Sequence, residues 1–185
     1  MAAAPPSVPA RALGGRVRLR TLINVRWIGI AGQASALVLV RYGLGYPLPI
    51  GWAAAAVAAS AALNLWLARR GRRAALLSDH MAAAQLGYDM LQLAVLLYLT
   101  GGLGNPFAVL ILAPVTVSAT VLSRRSTISL SVLALVILAM LARFHLPLPW
   151  PGAGFRLEPL FILGLALALG TAVVFIAAYV SSVAG

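Results

Sequence analysis

The chain has 185 residues, of which 62% are hydrophobic and 9% charged, whereas a soluble domain carries about 25% charged residues. A soluble fold of this size could not hide so much apolar surface, so part of its solvent must be lipid. The net charge of +11 comes without a basic patch that could read bases, which excludes nucleic acid as a partner, and the lack of cysteine excludes disulfides and thiolate metal sites.

Residues 1–20 are rich in alanine, proline and arginine and are expected to form a flexible cytoplasmic tail. Six apolar stretches follow, at 22–40, 50–68, 81–100, 106–122, 126–144 and 158–180. A helix rising 1.5 Å per residue needs roughly 20 residues to cross a hydrocarbon core about 30 Å thick. Helices are expected over a barrel because the runs are continuously apolar and do not alternate. In the first stretch Ala34-Ser35-Ala36 imitates a signal-peptidase site, but the apolar run around it is too long for a signal core. A turn with Gly43, Gly45, Pro47 and Pro49 leads to the second stretch, almost an alanine rod. Arg69, Arg70, Arg72 and Arg73 then form a basic loop. Arg124 and Arg125 mark the connection between the fourth and fifth stretches, and a proline-rich segment, 145–158, joins the fifth to the sixth.

Basic residues thus gather at every second connection. This is the positive-inside pattern, and it predicts a six-helix transmembrane bundle with short loops and both termini cytoplasmic. Trp27 and Trp66 are expected near the inner surface, and Tyr46, Trp52, Tyr98 and Trp150 near the outer one. Membrane lipid is therefore the first partner. Gly164, Ala168 and Ala172 place small residues on one face of the sixth helix, for packing within the bundle or for contact with a second copy in a homodimer.

The third helix is the unusual one. Gln85, Asp89, Gln92 and Thr100 fall within a sector of roughly 60°. A central aspartate is expensive in lipid and should face the bundle interior. Its candidate partners are Gln85, Gln92, Asn64, Asn24, Gln33 and Arg26. The stripe is either a polar clamp between the first three helices or a buried group coupled to a ligand.

That stripe climbs to the heptapeptide Gly101-Gly102-Leu103-Gly104-Asn105-Pro106-Phe107. Gly101 and Gly102 can end a helix at positive φ, and Asn105 followed by Pro106 suits the N-cap and first turn of the next. The same residues could hold a ligand. Glycines would leave backbone bare for a flat ring, with Leu103 and Gly104 filling the turn. The Asn105 amide could donate to a carbonyl, and Phe107 offers a face for stacking. A quinone, with two carbonyls, a flat ring and an isoprenoid tail, is one ligand type that fits, and composition does not choose it.

His80 and His145 fall in no metal-ligand spacing. Nucleophile-elbow, phosphate-loop and dinucleotide signatures are absent.

The heptapeptide, preceded by Tyr88-Asp89-Met90-Leu91-Gln92-Leu93-Ala94 and Leu96-Leu97-Tyr98-Leu99-Thr100, resembles the membrane sensor region of the RegB/PrrB redox-responsive histidine kinases. Leu19-Arg20-Thr21-Leu22, Arg26-Trp27 and Gly32-Gln33 look like the opening of the same region. The resemblance implies a multi-pass protein of the bacterial inner membrane that reports the redox state of the ubiquinone pool, with the heptapeptide in quinone binding. It further implies a cytoplasmic kinase module, following a linker that starts at 182–185, and a cognate response regulator as its target. Residues 21–181 would be the sensor domain. This chain by itself is not expected to phosphorylate anything. The alternative function is a small transporter or channel-like subunit with Asp89 and the glutamines lining a polar path.

Overall fold

The computed structural model describes residues 17–70, 76–147 and 158–183. The order of elements is β1 (Val17–Arg18), α1 (Leu19–Val38), α2 (Ile50–Arg70), β2 (Leu76–Leu77), α3 (Asp79–Leu99), α4 (Leu112–Val121), α5 (Arg124–Arg143) and α6 (Pro159–Val183). A π-helical turn, Leu39–Gly43, extends α1, and a 3₁₀ stretch, Pro106–Ile111, leads into α4. The expected bundle is present, with helix starts and ends within a few residues of the expected ones. The proline-rich segment 148–157, the basic loop 71–75 and residues 1–16 lie outside the described residues.

Two details depart from expectation. The tail is not featureless up to residue 20: β1 pairs antiparallel with β2, Val17 opposite Leu77 and Arg18 opposite Leu76. This ladder clips the start of α1 to the start of α3. At the other terminus α6 runs on to Val183, so residues 182 and 183 are helix rather than linker.

Among the described residues five helices are long and apolar enough to cross a membrane, and the sixth, Pro106–Val121, is shorter. Its first six residues are 3₁₀, which rises about 2.0 Å per residue against 1.5 Å in an α-helix. The tighter coil stretches this segment to about 27 Å, close to the thickness of the hydrocarbon core.

The helix ends are tied by specific contacts. At the end where α3 and α5 begin, Asp79 accepts from the Ser123 N–H (2.6 Å), the Ser123 hydroxyl (2.7 Å) and the Ser126 hydroxyl (2.5 Å). A carboxylate is thereby placed at the N-termini of two helices at once, where the helix dipoles favour negative charge. At the opposite end the Leu146 N–H donates to the Tyr98 carbonyl at 2.8 Å. The core is centred on α3, with Met90, Leu97, Leu103, Ile111, Val115 and Val173 almost fully buried. The helix α6 packs inward through Leu169 and Val173, while Gly164 and Ala168 face outward. Ala172, the third small residue of that row, is half-buried.

The α3–α4 hairpin is made largely as expected. Gly101 and Gly102 end α3 at φ +104° and +60°. Asn105 caps the next segment through Oδ1, which accepts from the Phe107 N–H at 2.9 Å, with Pro106 beginning the helix. However, Leu103 is not turn filler: it is 1% exposed and belongs to the central core. A Cβ on Gly102 would lie 2.6 Å from the His145 ring and 2.9 Å from the Leu141 carbonyl. The missing side chain makes room for the end of α5. Gly102→Ala combines left-handed strain with that clash and should destabilise the bundle by about 2–3 kcal/mol, read as a lower midpoint of thermal unfolding in lipid nanodiscs.

Candidate functional site

One group of polar residues within the spans meets in the space between α1 and α3. Arg26 comes from the second turn of α1, seven residues beyond Leu19, and is 7% exposed. Its Nε donates to Asp89 Oδ1 at 2.6 Å, and its Nη2 donates to Asp89 Oδ2 and to the Gln85 carbonyl, both at 3.1 Å. The guanidinium also sits over the Tyr88 ring, 5.7 Å from its centroid. Tyr88 in turn accepts from the Ser60 hydroxyl at 3.3 Å, which brings α2 into the network. Of the candidate partners for Asp89, the structure selects Arg26.

The other candidates are used elsewhere. Asn64 donates to the Ile23 carbonyl at 3.0 Å, tying α2 to α1. Asn24 is exposed. Gln33 and Gln92 form a reciprocal amide pair, with Gln33 Nε2 donating to Gln92 Oε1 at 3.2 Å and Gln92 Nε2 donating to Gln33 Oε1 at 3.0 Å. The expected stripe on α3 is thus real, and α1 supplies a polar partner at two successive levels. At Gln85 the group engaged is the backbone carbonyl.

These rungs lie in a cavity of about 490 Å³ walled by α1, α3 and the α4 segment. That volume is within the usual range of small-molecule sites, about 300–1,000 Å³. On α1 it reaches from Thr21 to Val40, about 30 Å along the helix and so the depth of a hydrocarbon core. Its rim includes Val25, Ile28, Phe107 and Leu110, all exposed and Ile28 as much as 74% so. In a membrane this is a crevice open sideways to lipid, with α3 as its floor.

The heptapeptide divides into two parts. Gly101, Gly102 and Leu103 are buried, and Gly104 is half-buried. The bare backbone expected at the two glycines is covered: both are buried, and at Gly102 His145 and the end of α5 occupy the space. Asn105 and Phe107 line the crevice at the α3–α4 hairpin, and Pro106 is exposed beside them. The Asn105 amide is already engaged, donating to the Thr100 carbonyl at 3.1 Å and the Thr100 hydroxyl at 2.7 Å. Among the described residues no group of histidines and carboxylates could hold a metal ion.

Some participants were hard to find in the sequence. Arg26 near the start of an apolar run looks like a side chain that reaches back to the membrane surface. The Asp79 hub carried a faint signal in Ser123-Arg124-Arg125-Ser126, the pattern of a helix start in need of an acceptor. Gly29 and Gly32, which also line the crevice, look in the sequence like ordinary membrane-helix glycines.

The Arg26–Asp89 pair makes a separable prediction. Arg26→Leu or Asp89→Leu alone strands a charge within the bundle and should cost about 3 kcal/mol, whereas the double replacement should be milder than either. Thermal unfolding of the four proteins in nanodiscs measures this, and simple addition of the two single effects would contradict it.

Comparison with known proteins agrees with this architecture. The family model of the PilS-like transmembrane domain matches residues 45–184. The sensor histidine kinase RegB of Cereibacter sphaeroides is 42% identical over 171 residues, covering 90% of this chain and 36% of RegB. A RegB from a further strain of that species is 42% identical over 84 residues, 44% of this chain and 18% of that protein. The chain therefore spans little more than a third of the length of these curated relatives at most. No solved structure matches it. With its six helices, the polar α1–α3 interface and a matched segment that takes in the whole heptapeptide, the chain belongs to the PilS-like transmembrane domain family and is a membrane sensor region of the RegB histidine-kinase type.

Proposed function

We propose that this region senses the redox state of the quinone pool, with ubiquinone or a related quinone entering the α1/α4 crevice sideways from lipid. The observation that supports this is the crevice itself. It is apolar at its rim, as deep as a bilayer core, and furnished with hydrogen-bonding groups along its floor. A planar head with two carbonyls needs such groups, and its isoprenoid tail needs the open side. Asn105, Pro106 and Phe107 form the outer mouth, while Gly101, Gly102, Leu103 and Gly104 make the hairpin that holds them. Gln85, Asp89 and Gln92 couple α3 to α1.

Signalling follows from population shift. Oxidised and reduced quinone bias two arrangements of the bundle only by the difference in their affinities for each. The crevice lies between α1 and α4, so a ligand that wedges or releases it changes how these helices seat on α3. The helix α6 carries the change towards a cytoplasmic kinase module and its response regulator, in a homodimer. The positive-inside pattern puts the basic end, with Arg69, Arg70, Arg124 and Arg125, on the cytoplasmic face of the inner membrane.

Phe107 is exposed, so Phe107→Ala should fold normally. It should weaken binding of a short-tailed ubiquinone to the chain in nanodiscs about tenfold and blunt the quinone response of kinase activity in the full-length protein. Failure of the unaltered chain to bind the quinone would refute the proposal.

A further inference from the structure

Resting on the quinone reading above, we propose that the Gln33–Gln92 amide pair, beside the bare α1 backbone at Gly29 and Gly32, is the head-group recognition site, and that Asn105 is not.

Asn105 is already committed to the hairpin. Its amide nitrogen donates to the Thr100 carbonyl and hydroxyl, and Oδ1 holds the Phe107 N–H. A quinone carbonyl could gain a bond from it only by dismantling the cap of the α4 segment. The glycine shelf of the heptapeptide is closed as well, because the His145 ring fills the place of a Gly102 side chain.

The glutamine pair differs on both counts. Each primary amide has two N–H donors and an oxygen with two lone pairs. The reciprocal pair uses one donor and one acceptor from each residue. One N–H and one lone pair therefore remain on each amide, and both residues line the crevice. The pair can donate to a quinone carbonyl or accept from a quinol hydroxyl while α1 and α3 stay joined. It is also well sheltered, with Gln92 only 9% exposed, so a hydrogen bond there competes little with water.

The ring needs a flat wall beside these amides, and α1 provides it. Gly29, Gly32 and Ala36 share the crevice face with Gln33. A Cβ placed on Gly29 or Gly32 would meet nothing within 4 Å. These glycines are not there for close packing inside the bundle, in contrast to Gly102. Across the gap stand Leu110 and Pro114 of the α4 segment. The head therefore lies at mid-membrane depth between Gly32 and the α4 wall, and Phe107 guards the mouth above it.

Two variants test the assignment. Gly32→Leu puts bulk into the crevice from a position whose Cβ meets nothing within 4 Å, so thermal stability should hold while affinity for a short-tailed ubiquinone in nanodiscs falls at least tenfold. Gln33→Leu/Gln92→Leu removes both partners together and leaves no buried amide unpaired, a change that is often nearly neutral for stability. It should weaken the quinone about tenfold. At saturating ligand, the infrared carbonyl stretch of the bound quinone should move to higher wavenumber as the donor is lost. If the unaltered chain binds and Phe107→Ala weakens it, but both new variants bind as well as the original with an unshifted carbonyl band, the head lies elsewhere. The assignment then fails while the quinone reading stands. If the unaltered chain binds no quinone, both fall.

Discussion

The ion pair between Arg26 and Asp89 is the constraint around which the rest of the bundle is arranged. Neither charge belongs in a span unless the other faces it, because an isolated charge at membrane depth is costly. Once paired, they fix the rotation of α1 against α3 and bring Gln33 level with Gln92. Tyr88 and Ser60 extend the same network to α2. Lipid supplies no hydrophobic drive between helices, so such polar ties and close packing carry much of the specificity.

The second organising element is the α3–α4 hairpin. Its glycines do two different things. Both allow the left-handed turn that ends α3, and Gly102 further admits the His145 ring and the Leu141 carbonyl. Leu103 plugs the core from within the turn, and Asn105 bonds back to Thr100 while capping the next segment. A motif that reads as an exposed ligand shelf is thus largely an internal joint. On the proposed reading it matters for function by holding Phe107 and the α4 wall at a set distance from α1.

A sensor needs a part that can move at low cost, and the crevice is lined by open glycines and exposed apolar side chains. The helices α3, α5 and the inner face of α6 form a tight core, while the crevice side of α1 meets few neighbours. On the proposed reading a ligand in that gap acts on α1, whose start is clipped to that of α3 through β1 and β2. At the same end Asp79 holds the starts of α3 and α5 together. On the proposed reading, movement at the crevice reaches the end of the bundle where α6 finishes.

Much of the fold was legible in the residues alone, because span length, the placement of arginines and the Gly–Asn–Pro punctuation each follow from local physics. The polar stripe on α3 was legible too, since helical period decides which residues share a face. The partner of Asp89 was not, because Arg26 could equally have reached back to the surface. Nor was it visible that Gln33 would meet Gln92, or that Gly32 would stand open while Gly102 was filled. A glycine carries no mark of what lies opposite it. Sequence determines which side chains a helix presents, but the rotation and approach of neighbouring helices decide what those side chains meet, and here that was set by one buried ion pair and one tight turn.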